Sequence, residues 1–235
     1  IVFRALALLA FWGVAAVPIA LIGFAWTFIS GRVDLLYRMA VGMALFGVRL
    51  VGVKVEVVGL DKLDWSRTYI FMSNHVSNLD PPIVIPIMPR RTSVLVKKEL
   101  FRIPILGWAM RLASLVPVDR RNRESAIASL RLAAEVLRSG VNMTVWPEGT
   151  RSPDGRLLPF KKGPFHLATE SGVPIAPITL VGTHEIWPKG EFAIHPGTAT
   201  LIFHEPLNPA AYPSQEDLIK AVRDRMRGGL PEQYQ

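Results

Sequence analysis

The sequence predicts an α/β fold, in which a mostly parallel sheet is flanked by helices and preceded by an N-terminal membrane-associated segment of two helices. From Lys54 onward, short apolar or β-branched runs alternate with helical segments, and such alternation is typical of parallel sheets. Before Lys54, the chain contains an uncharged stretch that is long enough for a bilayer core. We therefore assign residues 1–53 to membrane-anchoring helices and residues 54–235 to one globular domain.

The first helix is predicted in the uncharged stretch from Ala5 to Gly31, with Arg4 and Arg32 at its two ends. A helix needs roughly 20 apolar residues to cross the hydrocarbon core. The apolar part of a secretory signal peptide is shorter, at about 7–15 residues, and no cleavage site with a polar start follows this stretch. Pro18 leaves a second arrangement open, in which a bent helix enters one leaflet and returns.

The second helix, in residues 33–53, is apolar except for one narrow stripe. At about 100° per residue, Asp34, Arg38 and Arg49 fall within one sector together with Gly42. A narrow polar stripe on an apolar helix suits the membrane interface. The alternative is a helix that packs against the globular domain.

Seven strands are predicted after these helices. They span residues 53–58, 69–73, 93–96, 114–118, 143–146, 175–181 and 198–203. The clearest helix between them runs from Asn122, which can cap its start, to Ser139, and Gly140 can close its end. A last helix starts near Ser214. Because function in such folds concentrates at the carboxyl ends of strands, the residues that follow each strand are the candidates.

The composition restricts the partners and the chemistry that the chain can use. The formal net charge of +8 favours an anionic partner, which is nucleic acid, anionic lipid or a phosphorylated substrate. The absence of cysteine excludes disulfides and thiolate chemistry, and it fits a reducing compartment. The apolar half of the composition excludes intrinsic disorder.

A histidine and an aspartate follow the predicted strand at residues 69–73. Four residues separate His75 from Asp80. Histidine is the natural general base near neutral pH, and a carboxylate on its second ring nitrogen fixes the tautomer and stabilises the imidazolium. The alternatives are an ordinary loop histidine and an aspartate that caps a helix beginning at Pro81 and Pro82.

Two basic segments follow other strands. Glu148-Gly149-Thr150-Arg151 comes after the strand at residues 143–146, and Lys161 lies further on. A glycine lets backbone amides approach an anion closely, an arginine can bind two phosphate oxygens at once, and a lysine adds a positive charge. The alternative is an ordinary turn with solvated charges. The other segment extends from Lys98 to Asp119-Arg120-Arg121. It suits a groove for a phosphate head and an acyl tail, or an amphipathic surface helix.

Four blocks, in this order, resemble the 1-acylglycerol-3-phosphate acyltransferase family in its bacterial form. They are Asn74-His75 with Asp80, Lys98 with Pro104 and Gly107, Pro147-Glu148-Gly149-Thr150-Arg151-Ser152, and Val173-Pro174-Ile175-Ala176-Pro177. The match spans about residues 54–205, and the first and third blocks together are highly specific. The resemblance implies a fold like that of the glycerolphosphate acyltransferases. The fourth block suits either acyl-donor handling or the entry to a buried strand.

The resemblance also implies an activity. A fatty acyl chain passes from acyl-CoA or acyl-carrier protein to the sn-2 hydroxyl of 1-acylglycerol-3-phosphate, which gives phosphatidic acid for phospholipid biosynthesis. His75 and Asp80 match the catalytic dyad. The resemblance implies substrate-binding roles for Lys98, Arg120, Glu148, Gly149, Thr150 and Arg151. Lys161 is added because of its positive charge further along the same segment.

Further expectations concern cofactors, partners and location. We expect no cofactor and no metal, because the other histidines lack ligand spacing. The expected partners are membrane lipids, the lysophospholipid acceptor and, as one of the two donors, acyl-carrier protein; nucleic acid is not expected. The expected location is the bacterial inner membrane, with the catalytic domain on its cytoplasmic side.

Three other functions stay open, and a fourth, nucleic-acid binding, is the least favoured. Another acceptor, such as a lyso-ornithine lipid or a different lysophospholipid, fits the same blocks. A lipid hydrolase could use His75 and Asp80 to activate water, although the chain has no Gly-x-Ser-x-Gly elbow. A non-catalytic protein that recruits anionic lipid would leave His75 and Asp80 unexplained, and a nucleic-acid binder would leave the membrane helix unexplained.

Overall fold

A computed structural model describes residues 2–119 and 123–235 of the chain. The strands within these ranges are β1 (Val53–Val58), β2 (Ile70–Ser73), β3 (Thr92–Lys97), β4 (Val116–Val118), β5 (Asn142–Val145), β6 (Ile175–Val181) and β7 (Gly197–Phe203). The helices are α1 (Val2–Ser30), α2 (Asp34–Leu50), α3 (Asp80–Ile87), α4 (Leu106–Leu112), α5 (Arg123–Arg138), α6 (Lys162–Ser171), α7 (Thr183–Ile186) and α8 (Gln215–Gly228). The predicted cap Asn122 lies outside the described residues.

The strands form one mixed sheet in the order β1-β7-β6-β2-β5-β3-β4. Neighbours are parallel except for β6 and β7, so β1 and β7 run against the other five strands. The predicted mostly parallel sheet is confirmed. Since β6, β2, β5, β3 and β4 share one direction, their carboxyl ends meet at one edge, where the candidate residues lie.

Helices cover both faces of the sheet. Alternate side chains of β2 point to opposite faces, as the period of a strand requires. Phe71 belongs to the core beneath α2 and α3, whereas Ile70 and Met72 belong to the core beneath α5, α6 and α8. Burial on both faces explains why the central strands are almost continuously apolar.

The helix α1 is packed into the domain at one end and exposed at the other. Ala5 and Leu8 are fully buried in the same core as Val53 of β1. The later turns expose large apolar side chains, which are Val14, Val17, Leu21, Ile22, Trp26, Phe28 and Ile29. Among the described residues, α1 is the helix whose length and composition could cross a membrane. The boundary predicted at residue 53 therefore marks a change of secondary structure within a shared core.

The helix α2 packs beside α1 through close glycine contacts. A Cβ atom on Gly47 would lie 2.4 Å from the Trp12 ring nitrogen, and one on Gly23 would lie 2.5 Å from the Leu36 side chain. The polar stripe of α2 is exposed and consists of Asp34, Arg38, Gly42 and Arg49. The helix thus packs against the domain and keeps its polar stripe at the surface, and its location at a membrane interface remains a prediction.

Candidate active site

The loop that follows β2 is organised around the carboxylate of Asp80. Oδ2 of Asp80 accepts hydrogen bonds from the backbone N–H groups of Val76 at 2.7 Å and Ser77 at 2.8 Å. The same oxygen lies 2.7 Å from Nδ1 of His75. Oδ1 accepts from the hydroxyl of Thr183 at 2.7 Å. Asp80 is fully buried, and these partners offset the cost of taking its charge out of water.

The bond to Asp80 determines how His75 can act. When Nδ1–H donates to the carboxylate, Nε2 is the ring nitrogen that can accept a proton. The His75 side chain is 17% exposed, and its ring packs against that of Trp146 with centroids 5.1 Å apart. Asp80 is the first residue of α3 and bonds to the preceding loop, with Leu79 in the capping position. The capping alternative for Asp80 is therefore wrong.

Glu148 joins this loop to the one that follows β5. Oε1 of Glu148 accepts from the backbone N–H of His75 at 2.8 Å, and Oε2 accepts from that of Leu158 at 2.8 Å. Burial and the nearby charge of Asp80 raise the pKa of Glu148 to about 7, against the opposing effect of the two amides and Arg223. Because both carboxylate oxygens bond to the chain itself, the structure places Glu148 as a support of the His75 backbone.

Four predicted binding residues line one cavity. Glu148, Gly149, Thr150 and Lys161 lie around a space of about 560 Å³ next to Trp146. Gly149 has a φ of +73°, and a Cβ atom there would lie 3.5 Å from Cγ of Lys161. The glycine thus permits a left-handed turn that other residues rarely adopt, directly beside a lysine.

Arg151 lies next to the end of the His75 loop. Its Nη1 donates to Oδ1 of Asn78 at 2.7 Å, and its carbonyl accepts from Nζ of Lys189 at 2.9 Å. The neighbouring residue, Ser152, donates its N–H to the carbonyl of His75 at 2.7 Å. The structure therefore brings Glu148 and Arg151 together with the loop that carries His75.

Lys98 lies in a different cavity. Its ammonium group donates to Asp119, and it lines a space of about 630 Å³ together with Arg102 and Arg111. Arg120 lies outside the described residues. The assignment of Lys98 and Arg120 to substrate binding remains a prediction.

Two residues in the site had no predicted role. Asn74 bonds twice to Leu180 of β6, through Nδ2 to the carbonyl at 2.9 Å and through Oδ1 from the N–H at 2.7 Å. Thr183 follows β6 directly and reaches Asp80. Since β6 neighbours β2, a search of the residues after every strand would have found Thr183. The fourth block itself enters β6, which agrees with its interpretation as a buried strand.

Comparisons with known proteins identify relatives of the chain. A family model described as Acyltransferase matches residues 54–181. A 1-acyl-sn-glycerol-3-phosphate acyltransferase of Limnanthes alba is 35% identical over 209 residues, which are 88% of this chain and 73% of that protein. The alpha form of the enzyme from Homo sapiens is 34% identical over 77% of this chain and 64% of its own length.

A solved structure has the same fold. The crystal structure of the 1-acyl-sn-glycerophosphate (LPA) acyltransferase PlsC from Thermotoga maritima matches with a TM-score of 0.79 and 31% sequence identity. The match covers 95% of this chain and 93% of that one, including the N-terminal helices. The fold expected from the resemblance is confirmed.

Proposed function

The chain belongs to the 1-acyl-sn-glycerol-3-phosphate acyltransferase family, and from this membership we propose that it transfers a fatty acyl chain from acyl-CoA or acyl-carrier protein to the sn-2 hydroxyl of 1-acylglycerol-3-phosphate. The product is phosphatidic acid, which enters phospholipid biosynthesis. The observation that carries the proposal is the buried carboxylate of Asp80, which binds Nδ1 of His75 at 2.7 Å and leaves Nε2 as the base.

The mechanism uses His75 as a proton shuttle. Nε2 removes the proton of the acceptor hydroxyl while its oxygen attacks the thioester carbonyl, and a tetrahedral oxyanion forms. Asp80 stabilises the imidazolium in this state. The C–S bond then breaks, and His75 returns the proton to the thiolate. The products are the ester and a free thiol, and no covalent acyl-enzyme is required.

The acceptor phosphate lies near Arg151 and Lys161 in this proposal. Lys161 lines the cavity beside the His75 loop, and Arg151 is held over the same loop by Asn78. A guanidinium binds phosphate oxygens in pairs and an ammonium group adds a compact charge. Lysolipids with other head groups are the alternative acceptors, and the same experiment tests them.

We place the enzyme at the cytoplasmic face of a bacterial inner membrane, with α1 in one leaflet. Ala5 and Leu8 hold one face of the first turns of α1 in the domain core, while Phe3 and Leu6 on the other face are exposed, so the surface of α1 that is free for lipid is widest beyond about Val14. From there to Ser30 the helix rises about 25 Å, which is too short to cross the roughly 30 Å of a bilayer core upright but longer than one leaflet, so we place the helix at a tilt within that leaflet. The absence of cysteine fits a reducing compartment.

The test is a panel of lysolipids incubated with the purified full chain and acyl-CoA or acyl-carrier protein, with products identified by mass spectrometry. We expect phosphatidic acid from 1-acylglycerol-3-phosphate. His75→Ala abolishes it, and His166→Ala, at a side chain exposed on α6, serves as the control. Arg151→Ala raises the KM of the phosphate acceptor and leaves the donor KM unchanged.

Each other outcome rejects a part of the proposal. Near-normal turnover by His75→Ala excludes the base. Acylation of a lyso-ornithine lipid in preference to the phosphate acceptor changes the substrate, and release of free fatty acid without acylated acceptor identifies a hydrolase. Lipid binding without either product identifies a recruiting protein.

A further inference from the structure

An apolar loop of the sheet domain lies against α1. Residues 103–105 connect the short helical turn after β3 to α4, and together with the first turn of α4 they form the loop of residues 103–108. Its exposed large apolar side chains are Ile103, Ile105, Leu106 and Trp108. The ring of Trp108 stacks on Phe24 of α1 with centroids 4.6 Å apart and an interplanar angle of 19°. The loop therefore extends the exposed apolar surface of α1 onto the catalytic domain.

The tip of the loop has a strained backbone. Ile105 has φ 66° and ψ −59°, and Leu106 N–H bonds to the carbonyl of Pro104 at 2.7 Å, which together form the rare γ-turn with positive φ. A β-branched residue in this region is an outlier. A Cβ atom on Gly107 would lie 2.2 Å from the carbonyl oxygen of Phe101, so the chain can fold back this closely only at a glycine. This backbone conformation places the Ile105 side chain at the surface, where it is 63% exposed.

Basic side chains stand at the base of the loop. Arg102 directly precedes it, and both Arg102 and Arg111 of α4 are exposed. Arg111 is held in place because it donates to the carbonyl of Phe101 at 3.3 Å and lies 5.7 Å from the centre of the Phe101 ring. An apolar tip with a tryptophan and a basic rim is the arrangement found where proteins meet lipid head groups.

The loop also closes an apolar recess between the two N-terminal helices. This recess of about 560 Å³ is bounded by α1, by α2 and by the loop, for example by Ala20, Leu36, Ala40 and Leu106. Its lining is apolar throughout. The two helices and the loop therefore form one continuous apolar surface. Because this surface is continuous with the exposed part of α1, the partner that fits it is the hydrocarbon of a bilayer.

We propose that residues 103–108 insert into the membrane beside α1 and attach the catalytic domain to lipid a second time. The proposal rests on the membrane location of α1 given above. Phe24 precedes the end of α1 by six residues, about 9 Å of helix rise, so the loop lies shallower than that end when α1 enters the bilayer. Lys98, which is five residues before the loop, is thereby held close to the head groups.

The chain has no cysteine, so single cysteines can carry an environment-sensitive fluorophore at chosen depths. Three full-length variants are reconstituted in vesicles of phosphatidylcholine and phosphatidylglycerol: Ile105→Cys in the loop, Phe28→Cys near the end of α1, and Ile127→Cys at an exposed position on α5. Quenching is measured with lipids that carry a nitroxide near the head group or near the end of the acyl chain.

We expect the Ile105 label to shift to the blue and to be quenched more strongly by the shallow nitroxide, the Phe28 label more strongly by the deep one, and the Ile127 label by neither. If the Phe28 label enters lipid and the Ile105 label stays aqueous, the loop proposal fails and the location of α1 stands. If neither label enters lipid, both fail. An Ile105 label that shifts to the blue without nitroxide quenching is covered by protein, which also overturns the proposal.

Discussion

The two oxygens of Asp80 have different partners, and the difference assigns a positioning role to Thr183. Oδ2 bonds to the His75 ring and its own loop, whereas Oδ1 bonds to Thr183 on a neighbouring strand connection. Rotation of the carboxylate would break both sets of bonds. The Thr183 hydroxyl therefore keeps Oδ2 directed at His75 without contact with substrate.

We expect Thr183→Val to lower kcat about tenfold or more and to leave both KM values near wild type, because a hydrogen bond to a charged group contributes about 1.5–3 kcal/mol. Thr183→Ser restores the rate, since the hydroxyl returns. Thr179→Val is the matched control, because its hydroxyl bonds to the carbonyl of Met226 away from the site. Steady-state kinetics and melting temperatures of the three variants test this. A Thr183→Val variant with a lower Tm and an unchanged kcat would make the role structural.

Glu148 should make stability depend on pH. Its pKa is about 7 in the folded chain and 4.5 ordinarily, so the folded state binds more protons between these values. The stabilisation of the folded state by this bound proton is fully present below pH 4.5 and is lost as the pH rises through 7. We expect the free energy of unfolding of wild type, relative to Glu148→Gln, to fall by up to about 3 kcal/mol across this window. Urea unfolding at several pH values measures it, and a difference that is constant with pH would contradict the prediction.

At the scale of elements, the packing of α1 on α2 depends on where the glycines lie. A methyl group at Gly47 meets Trp12 at 2.4 Å and Leu8 at 2.9 Å, whereas one at Gly42 meets nothing within 4 Å. We expect Gly42→Ala to raise the free energy of unfolding by about 0.5–1 kcal/mol through helix propensity. Gly47→Ala gains the same propensity but separates the helices, so it should lower the Tm in detergent. Equal effects of the two changes would show that the helices are not tightly packed.

The sequence predicted the elements well where burial alone determines them. The seven strands are confirmed because each contains a short apolar or β-branched run, and the central strands are buried between both helix layers. The strand predicted at residues 114–118 begins only at Val116, since Ser114 has a φ of 62°. The reversal of β7 was not predictable. It depends on the connection at residues 182–196, in which the sequence predicts no strand.

The pairing of His75 with Asp80 was predictable from the sequence, whereas the bonds that connect the loops of the candidate site were not. His75 and Asp80 stand out because their side chains can do acid–base work at short spacing. The bond from Glu148 to the N–H of His75 spans residues far apart in the chain and uses a backbone group, which every residue except proline carries. Such a partner leaves no mark in the sequence, so the sequence indicates only the substrate-binding role of Glu148, which remains a prediction.

At the scale of the whole molecule, α1 and α2 form a helical hairpin whose tip lies near Ser30. If α1 enters only one leaflet, this tip stays inside the bilayer and is reached from neither side. We expect Ser30→Cys, at the end of α1, to resist an impermeant maleimide added outside vesicles and one trapped in their lumen. Ser139→Cys, exposed after α5, reacts with the outside reagent and is the control. Labelling of Ser30→Cys from the lumen would show that α1 spans the bilayer.

The pairing of β1 with β7 sets the order in which the chain can be completed during translation. Val53 pairs with Gly197, and the ribosome, at about 5–20 residues per second, needs roughly 7–30 s between them. Throughout that interval β1 is a nascent strand with an open edge, of the kind that invites association with other chains. Ala5 and Leu8 are made earlier than Val53, so they wait longer still for Ala199 and Leu201 to complete their core. The ribosome therefore delivers the N-terminal helices first and the strand that completes their core last.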